Sequence, residues 1–274
     1  MAEALAALFG LLIGSFLNVC IYRWPRDLSV VAPRSHCTAC EHGIAWYDNI
    51  PVVSYLILRG RCRHCGAAID WQYPAVELLT GLAFGFFVYR YGLTLPGLKF
   101  CILAAILIAL GFADADTRIL PDELTIGGAA IGFVLSGLVP VQDSTFHFGA
   151  RALGFDPAPW VSSLGEAVLG AVVCAGSLWL AGWLFEKLRH KEGLGFGDVK
   201  MLVMIGAFLG LQATLLTVIL GSLLGAVTGL TWIKLKGEDA ATFQLPFGTF
   251  LAIGAFLVAI EGQTLISWYV NNFL

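Results

Sequence analysis

Long apolar runs alternate along this chain with short polar joints. Runs of the length a bilayer demands of a helix, about 17–25 residues, are predicted at Ala4–Tyr22, Val76–Tyr91, Leu95–Phe112, Leu124–Val141, Leu164–Phe185, Val199–Leu211, Ala213–Ile233 and Phe247–Val270. The second is borderline in length, and the sixth is short enough to be half-buried or re-entrant. The expected fold class is therefore an all-α polytopic membrane protein with about eight transmembrane helices. One polar stretch of any size interrupts the runs, between the first and the second. The division expected is a first helix over 1–22, a cytoplasmic four-cysteine domain over 23–75, and a membrane body of about seven helices over 76–274.

Composition supports that class. Of 274 residues, 58% are hydrophobic and 13% are charged, where soluble domains carry about 25% charged residues. Mean hydropathy is +0.81. The net charge of −3 and the lack of a basic tract argue against nucleic acid as a partner and leave the lipid bilayer. The first run opens with Glu3 and no basic residue, while Arg23 and Arg26 follow it. That flank order predicts an uncleaved anchor with its N-terminus outside. With eight spans, 13 of the Lys and Arg residues fall on inner joints, and only Arg90, Lys99 and Arg151 fall outside. Both counts favour the same orientation.

Two joints carry acids where acids are costly. The first reads FADADTRILPDELT, Phe112 to Thr125, between the third and fourth runs. A carboxylate at membrane depth costs about 2.5–3.5 kcal/mol on insertion scales, so a functional reading comes first. Asp114 and Asp116 are two residues apart, about 200° around a helix, so only one of them points into any given site. Asp114 is the deeper. Pro121 stops the third helix near Ile119, and Asp122 fits the N-cap of the fourth. The second joint reads GLGFGDVK, Gly193 to Lys200, and places Asp198 ahead of the sixth run. Gly193, Gly195 and Gly197 make a tight turn possible there and let an extended substrate backbone approach. Lys200 has a carboxylate or a lipid headgroup as its expected partner. The eight-span model puts Asp114 and Asp198 at one, cytoplasmic, face. Together they suggest an aspartyl hydrolase.

The polar stretch holds Cys37-x-x-Cys40 and Cys62-x-x-Cys65, 21 residues apart. Paired knuckles at about this spacing read as a closed, structural tetrahedral zinc site. A redox CxxC is the alternative. His36, His42 and His64 flank the knuckles and are expected on the surface. Elsewhere, Ser15 and Asn18 share a face of the first helix, as polar glue between helices or as part of a substrate groove. Glu77 neutralises the start of the second helix or touches the cytoplasmic domain; the sequence leaves both open. Gln142–Ser163 is expected as an outer loop, and Pro246 as the start of the last helix.

Taken together, GSFLNVCIYR, RSHCTACEHGIAWYDNIPVVSYLILRGRC, YPAVELL, DADTRILPDELT and GFGDVK resemble the type IV prepilin peptidases over nearly the whole chain. The resemblance implies a bacterial inner-membrane aspartyl protease of the GxGD type. Its catalytic pair would be Asp114 and Asp198, with Gly195, Gly197 and Lys200 in the supporting loop. Zinc would be held by Cys37, Cys40, Cys62 and Cys65. It implies prepilins or pseudopilins as substrates, cleaved after a glycine at the cytoplasmic boundary. It also implies N-methylation of the new N-terminus with S-adenosylmethionine, for which no motif marks a binding site. Asp27, Glu41, Asp48 and Asp70 are candidates to meet a basic leader. Two close carboxylates share one proton more readily than they both ionise, which gives one acid and one base. The rival reading is a proton-coupled transporter with Asp114 and Asp198 as relay. It predicts acids at mid-helix depth and repeated halves, and neither pattern is present in the sequence.

Overall fold

In the computed structural model, which describes residues 1–140, 145–189, 195–236 and 245–273, helices account for nearly all regular structure. They are α1 (Ala2–Arg23), α2 (Val53–Ile57), α3 (Gln72–Tyr91), α4 (Leu95–Thr117), α5 (Asp122–Leu138), α6 (Thr145–Ala152), α7 (Pro159–Arg189), α8 (Phe196–Leu209), α9 (Leu211–Lys236) and α10 (Phe247–Phe273). Helices of 14 to 31 residues thus occur at the eight apolar runs. Among the described residues, α1, α4, α7 and α9 are the four long and apolar enough to cross a membrane, and Phe247–Gly262 is a shorter apolar helix. The protein is a multi-pass membrane protein. It divides into two compact units, 1–113 and 114–274.

In the first unit α1 packs along α3. The approach is close because small residues line it: a Cβ on Gly14 would stand 2.6 Å from the Glu77 Cα. Phe100 of α4 stacks on Phe87 at 5.4 Å and on Tyr91 at 4.9 Å between ring centroids. Arg23, buried at the end of α1, donates to the carbonyls of Ser29 and Pro33, both at 2.7 Å, and so folds the following segment back.

α8 is the centre of the second unit. It touches α5, α7, α9 and α10, and Met201, Leu202, Met204, Ile205 and Ala207 are fully buried. The shortest of the predicted runs is therefore the core rather than a lipid-facing span. Gly206 explains the fit with α7, since a Cβ there would come within 2.6 Å of the Ala171 Cα. The Ser136 hydroxyl of α5 donates to the Ala207 carbonyl at 2.7 Å, supplying the polar link expected between membrane helices.

Three expectations need correction. The segment expected as an outer loop over 142–163 contains α6 and the start of α7. Thr145–Ala152 is a strongly amphipathic helix with a polar face, too short to register as an apolar run. Asp122 is the first residue of α5, and Pro121 holds the N-cap position. Thr125 satisfies the Pro121 carbonyl through both its N–H (3.0 Å) and its hydroxyl (3.1 Å), so no Asp122 side-chain cap forms. α4 ends at Thr117, ahead of Ile119, because Arg118 turns into the left-handed region with φ 57°.

Candidate active site and metal centre

Asp114 lies in the last turn and a half of α4 and is only 5% exposed. Asp116, two residues on, faces outward and is exposed. The Asp114 carboxylate is met by the start of α10. Thr249 donates to its Oδ2 through the backbone N–H at 2.7 Å and through the hydroxyl at 3.1 Å. A first-turn N–H has no partner within its own helix, and the positive end of the helix favours an anion there. Gly248 makes the approach possible, since a Cβ would stand 3.1 Å from the Asp114 carboxylate.

Asp198 sits in the first turn of α8, with its N–H donating to the Gly195 carbonyl at 3.1 Å. Asp114 lies near enough to contribute to the electrostatic environment of Asp198. Leu120, buried in the α4–α5 joint, closes the arrangement. Cβ atoms at Gly197 and Gly248 would stand 3.2 Å and 3.1 Å from its side chain. Three joints distant in sequence therefore converge on one place. The glycines contribute space, not unusual backbone: Gly195 has φ −69°, and Gly197 is not left-handed. Gly193 lies outside the described residues. Lys200 reaches neither acid of the pair; it forms an ion pair with Asp122 and lies over the Phe196 ring.

Thr249 and Gly248 are the residues that sequence reasoning missed. Their signal was present: LPFG immediately ahead of an apolar run marks a third helix start, and it was read only as a helix boundary. α10 does begin at Phe247, directly after Pro246.

The four cysteines of the polar stretch form one cluster, with all Sγ atoms within 4.8 Å of one another. The Cys37–Cys65 pair is 3.8 Å apart, which matches the S···S edge of about 3.8 Å in a tetrahedron with Zn–S bonds of about 2.3 Å. The knuckles are two copies of one turn. Glu41 N–H donates to the Cys37 carbonyl at 2.8 Å, and Gly66 N–H to Cys62 at 2.9 Å. Glu41 and Gly66 both have positive φ, 57° and 73°, and antiparallel bridges close the copies at His36–Gly43 and Arg61–Ala68. Backbone N–H groups of Ala39 and Cys40 point at the Cys37 sulfur and lower its pKa, favouring the thiolate a metal binds, while crowding by the other three sulfurs raises that of Cys40. The residues fit zinc. His36, His42 and His64 are exposed. Asp48 is engaged by Arg63, through Nε at 2.8 Å and Nη2 at 2.6 Å, and this pairing holds its carboxyl below the usual range.

Two acids at helix ends in a multi-pass helical body, in a chain that also carries a four-cysteine knuckle domain, fit the class of membrane peptidases. Comparison with known proteins gives the family. Residues 8–91 match the bacterial peptidase A24 N-terminal domain, and residues 101–230 match the type IV leader peptidase family. A prepilin leader peptidase/N-methyltransferase of Pseudomonas aeruginosa is 35% identical, across 96% of this chain and 92% of that protein. One from Aeromonas hydrophila is 37% identical (99% and 94%), and one from Neisseria gonorrhoeae 34% (99% and 96%). No solved structure matches. The chain belongs to the type IV leader peptidase family, and it is a peptidase.

Proposed function

We propose that the protein removes the leader peptides of type IV prepilins or pseudopilins at the cytoplasmic face of the bacterial inner membrane. In this reading it also methylates the new N-terminus. The supporting observation is the convergence of Asp114 and Asp198 beside the first turn of α10. Two N–H or O–H donors on one Asp114 oxygen suit a carboxylate. Asp114 is thus the base that takes a proton from water. Asp198 carries the shared proton, polarises the scissile carbonyl and protonates the leaving amine. Gly197 and Gly248 leave space for an extended substrate chain. Eight membrane helices, with 23–75 and both acids inside, agree with the basic residues at the joints.

Cys37, Cys40, Cys62 and Cys65 would hold a structural zinc ion. Four thiolates would cross-link the two knuckles through it and would leave no coordination position open for chemistry. S-adenosylmethionine would supply the methyl group.

The test is cleavage of a prepilin by purified protein with fold and zinc content checked. Asp114→Asn and Asp198→Asn should each lower the rate by about 10³-fold or more, as loss of a general acid or base predicts. Near-normal cleavage by either variant would make that aspartate structural. Failure of the wild type to cleave would remove the reading.

A further inference from the structure

Another buried carboxylate, Glu77 in the first unit, has no part in peptide hydrolysis as described above. It sits in the second turn of α3 and is 8% exposed. The backbone N–H of Val52 donates to its Oε2 at 2.7 Å, and Ser15 of α1 lies beside the same carboxylate. One helical turn further along α1, Asn18 donates from Nδ2 to the Tyr73 carbonyl at 3.0 Å. That bond fixes which way the amide faces. Asn18 Oδ1 is left buried with no hydrogen-bond partner among the described residues, in a side chain only 4% exposed. A buried acceptor without a donor costs about 1–3 kcal/mol.

The donor now on Glu77 is held there at a cost. Val52 has φ 62° and ψ −47°, and Val53 N–H donates back to the Pro51 carbonyl at 2.6 Å. This is a γ-turn of the rare, strained form, centred on a β-branched residue that resists positive φ. The turn aims a single N–H at the carboxylate. Strain of about 1–3 kcal/mol at one residue persists where the surroundings over-determine it, and it gathers at ligand sites.

We propose that Glu77 and Asn18 Oδ1 form a binding site for a primary amine, with the Val52 N–H occupying part of it until the amine arrives. The chemistry of the ligand follows from the site: two acceptor groups, one of them a carboxyl, and among the described residues no donor on Asn18 Oδ1. A primary amine, an ammonium in water, offers N–H groups to both acceptors; where it is the methyl acceptor, it gives one proton to the Glu77 carboxylate, and the lone pair so freed attacks the methyl carbon as the carbon–sulfur bond breaks and leaves a thioether. Two sources carry such an amine. One is the N-terminus exposed by leader removal; the other is the amino group of S-adenosylmethionine. The assignment rests on the methylation reading above and locates part of that activity in the first unit.

The experiment uses the full-length zinc-loaded protein in detergent. Affinity is measured for a peptide of the mature pilin N-terminus, free or acetylated, and for S-adenosylmethionine or its analogue lacking the amino group. One of the two ligands should bind at least tenfold more weakly without its amine, which identifies the source. Glu77→Gln and Asn18→Leu should each shrink that tenfold difference to less than threefold and lower the ratio of methylated to cleaved product. Hydrogen exchange across Ile50–Ser54 in the wild type supplies a readout that no variant can compromise. It should change with the amine-bearing ligand and not with its amine-free counterpart. If neither ligand discriminates, or exchange at Ile50–Ser54 ignores both, the site is a polar joint and the proposal is overturned. Wild-type methylation is read by mass in the same preparation. Its absence would remove the methylation reading, whereas intact methylation without amine discrimination would overturn only this site.

Discussion

Asp114 and Glu77 are buried carboxylates that each receive a backbone N–H at 2.7 Å, and they differ in what supplies it. For Asp114 the donor is the first turn of α10, an N–H that no helix could use internally. Its backbone is regular, and Gly248 supplies the room. For Glu77 the donor is the centre of a γ-turn with Val52 at φ 62°. A helix start presents its donors at no conformational cost, so the Asp114 site is pre-organised by ordinary secondary structure. The Glu77 site is held by strain, which the segments on either side of the turn must sustain. One is suited to chemistry that must not move, the other to a group that must yield its place.

Metal removal should separate the two most strongly. The knuckles at 35–44 and 60–69 flank Val52 in sequence, and a segment this small depends on its metal for folding free energy. Cys62→Ser should abolish zinc retention and lower the unfolding free energy of the polar stretch by several kcal/mol. Hydrogen exchange should rise across 35–69 while α8 stays protected. Equal loss of protection in α8 would mean that the two sites share one cooperative unit.

Gly248→Val acts on the other side of the comparison. Its methyl groups would crowd the Asp114 carboxylate, and a displacement of about 1 Å at a reacting group costs on the order of 10²-fold in rate. Cleavage should fall by about that factor with zinc content unchanged. A variant with wild-type cleavage would show that the α10 start does not position Asp114.

Val52→Gly is the smallest change and the sharpest for the strain. Glycine adopts positive φ without steric cost, so this variant should be more stable by about 1 kcal/mol, relief of strain outweighing lost entropy. Thermal unfolding of the zinc-loaded protein reads it. A loss of stability would mean that Val52 packing, not its turn, matters.

How much of this was legible in the sequence follows the same division. Asp114 could be separated from Asp116 by helical period together with its greater depth, and Asp198 by its place ahead of an apolar run. The cysteine spacing announced its cluster because a knuckle is a local turn. Thr249, 135 residues from Asp114, could not be paired from sequence, since nothing local indicates which helix start meets which acid. Glu77 left two readings open for the same reason: its partner, Val52, is 25 residues away, and a γ-turn has no sequence period. The burial of α8 was hidden behind its length. A run too short to span reads as half-buried or re-entrant, whereas its neighbours bury nearly all of 201–209.

The most direct test of the account is the cleavage rate of the double variant Asp114→Asn/Asp198→Asn beside both single variants, each folded and zinc-loaded. Residues that act as one unit are far from additive. The double variant should therefore cleave no more than about threefold slower than the slower single variant. Losses that multiply would mean that the two aspartates act independently, and the shared-proton pair at the centre of this account would be wrong.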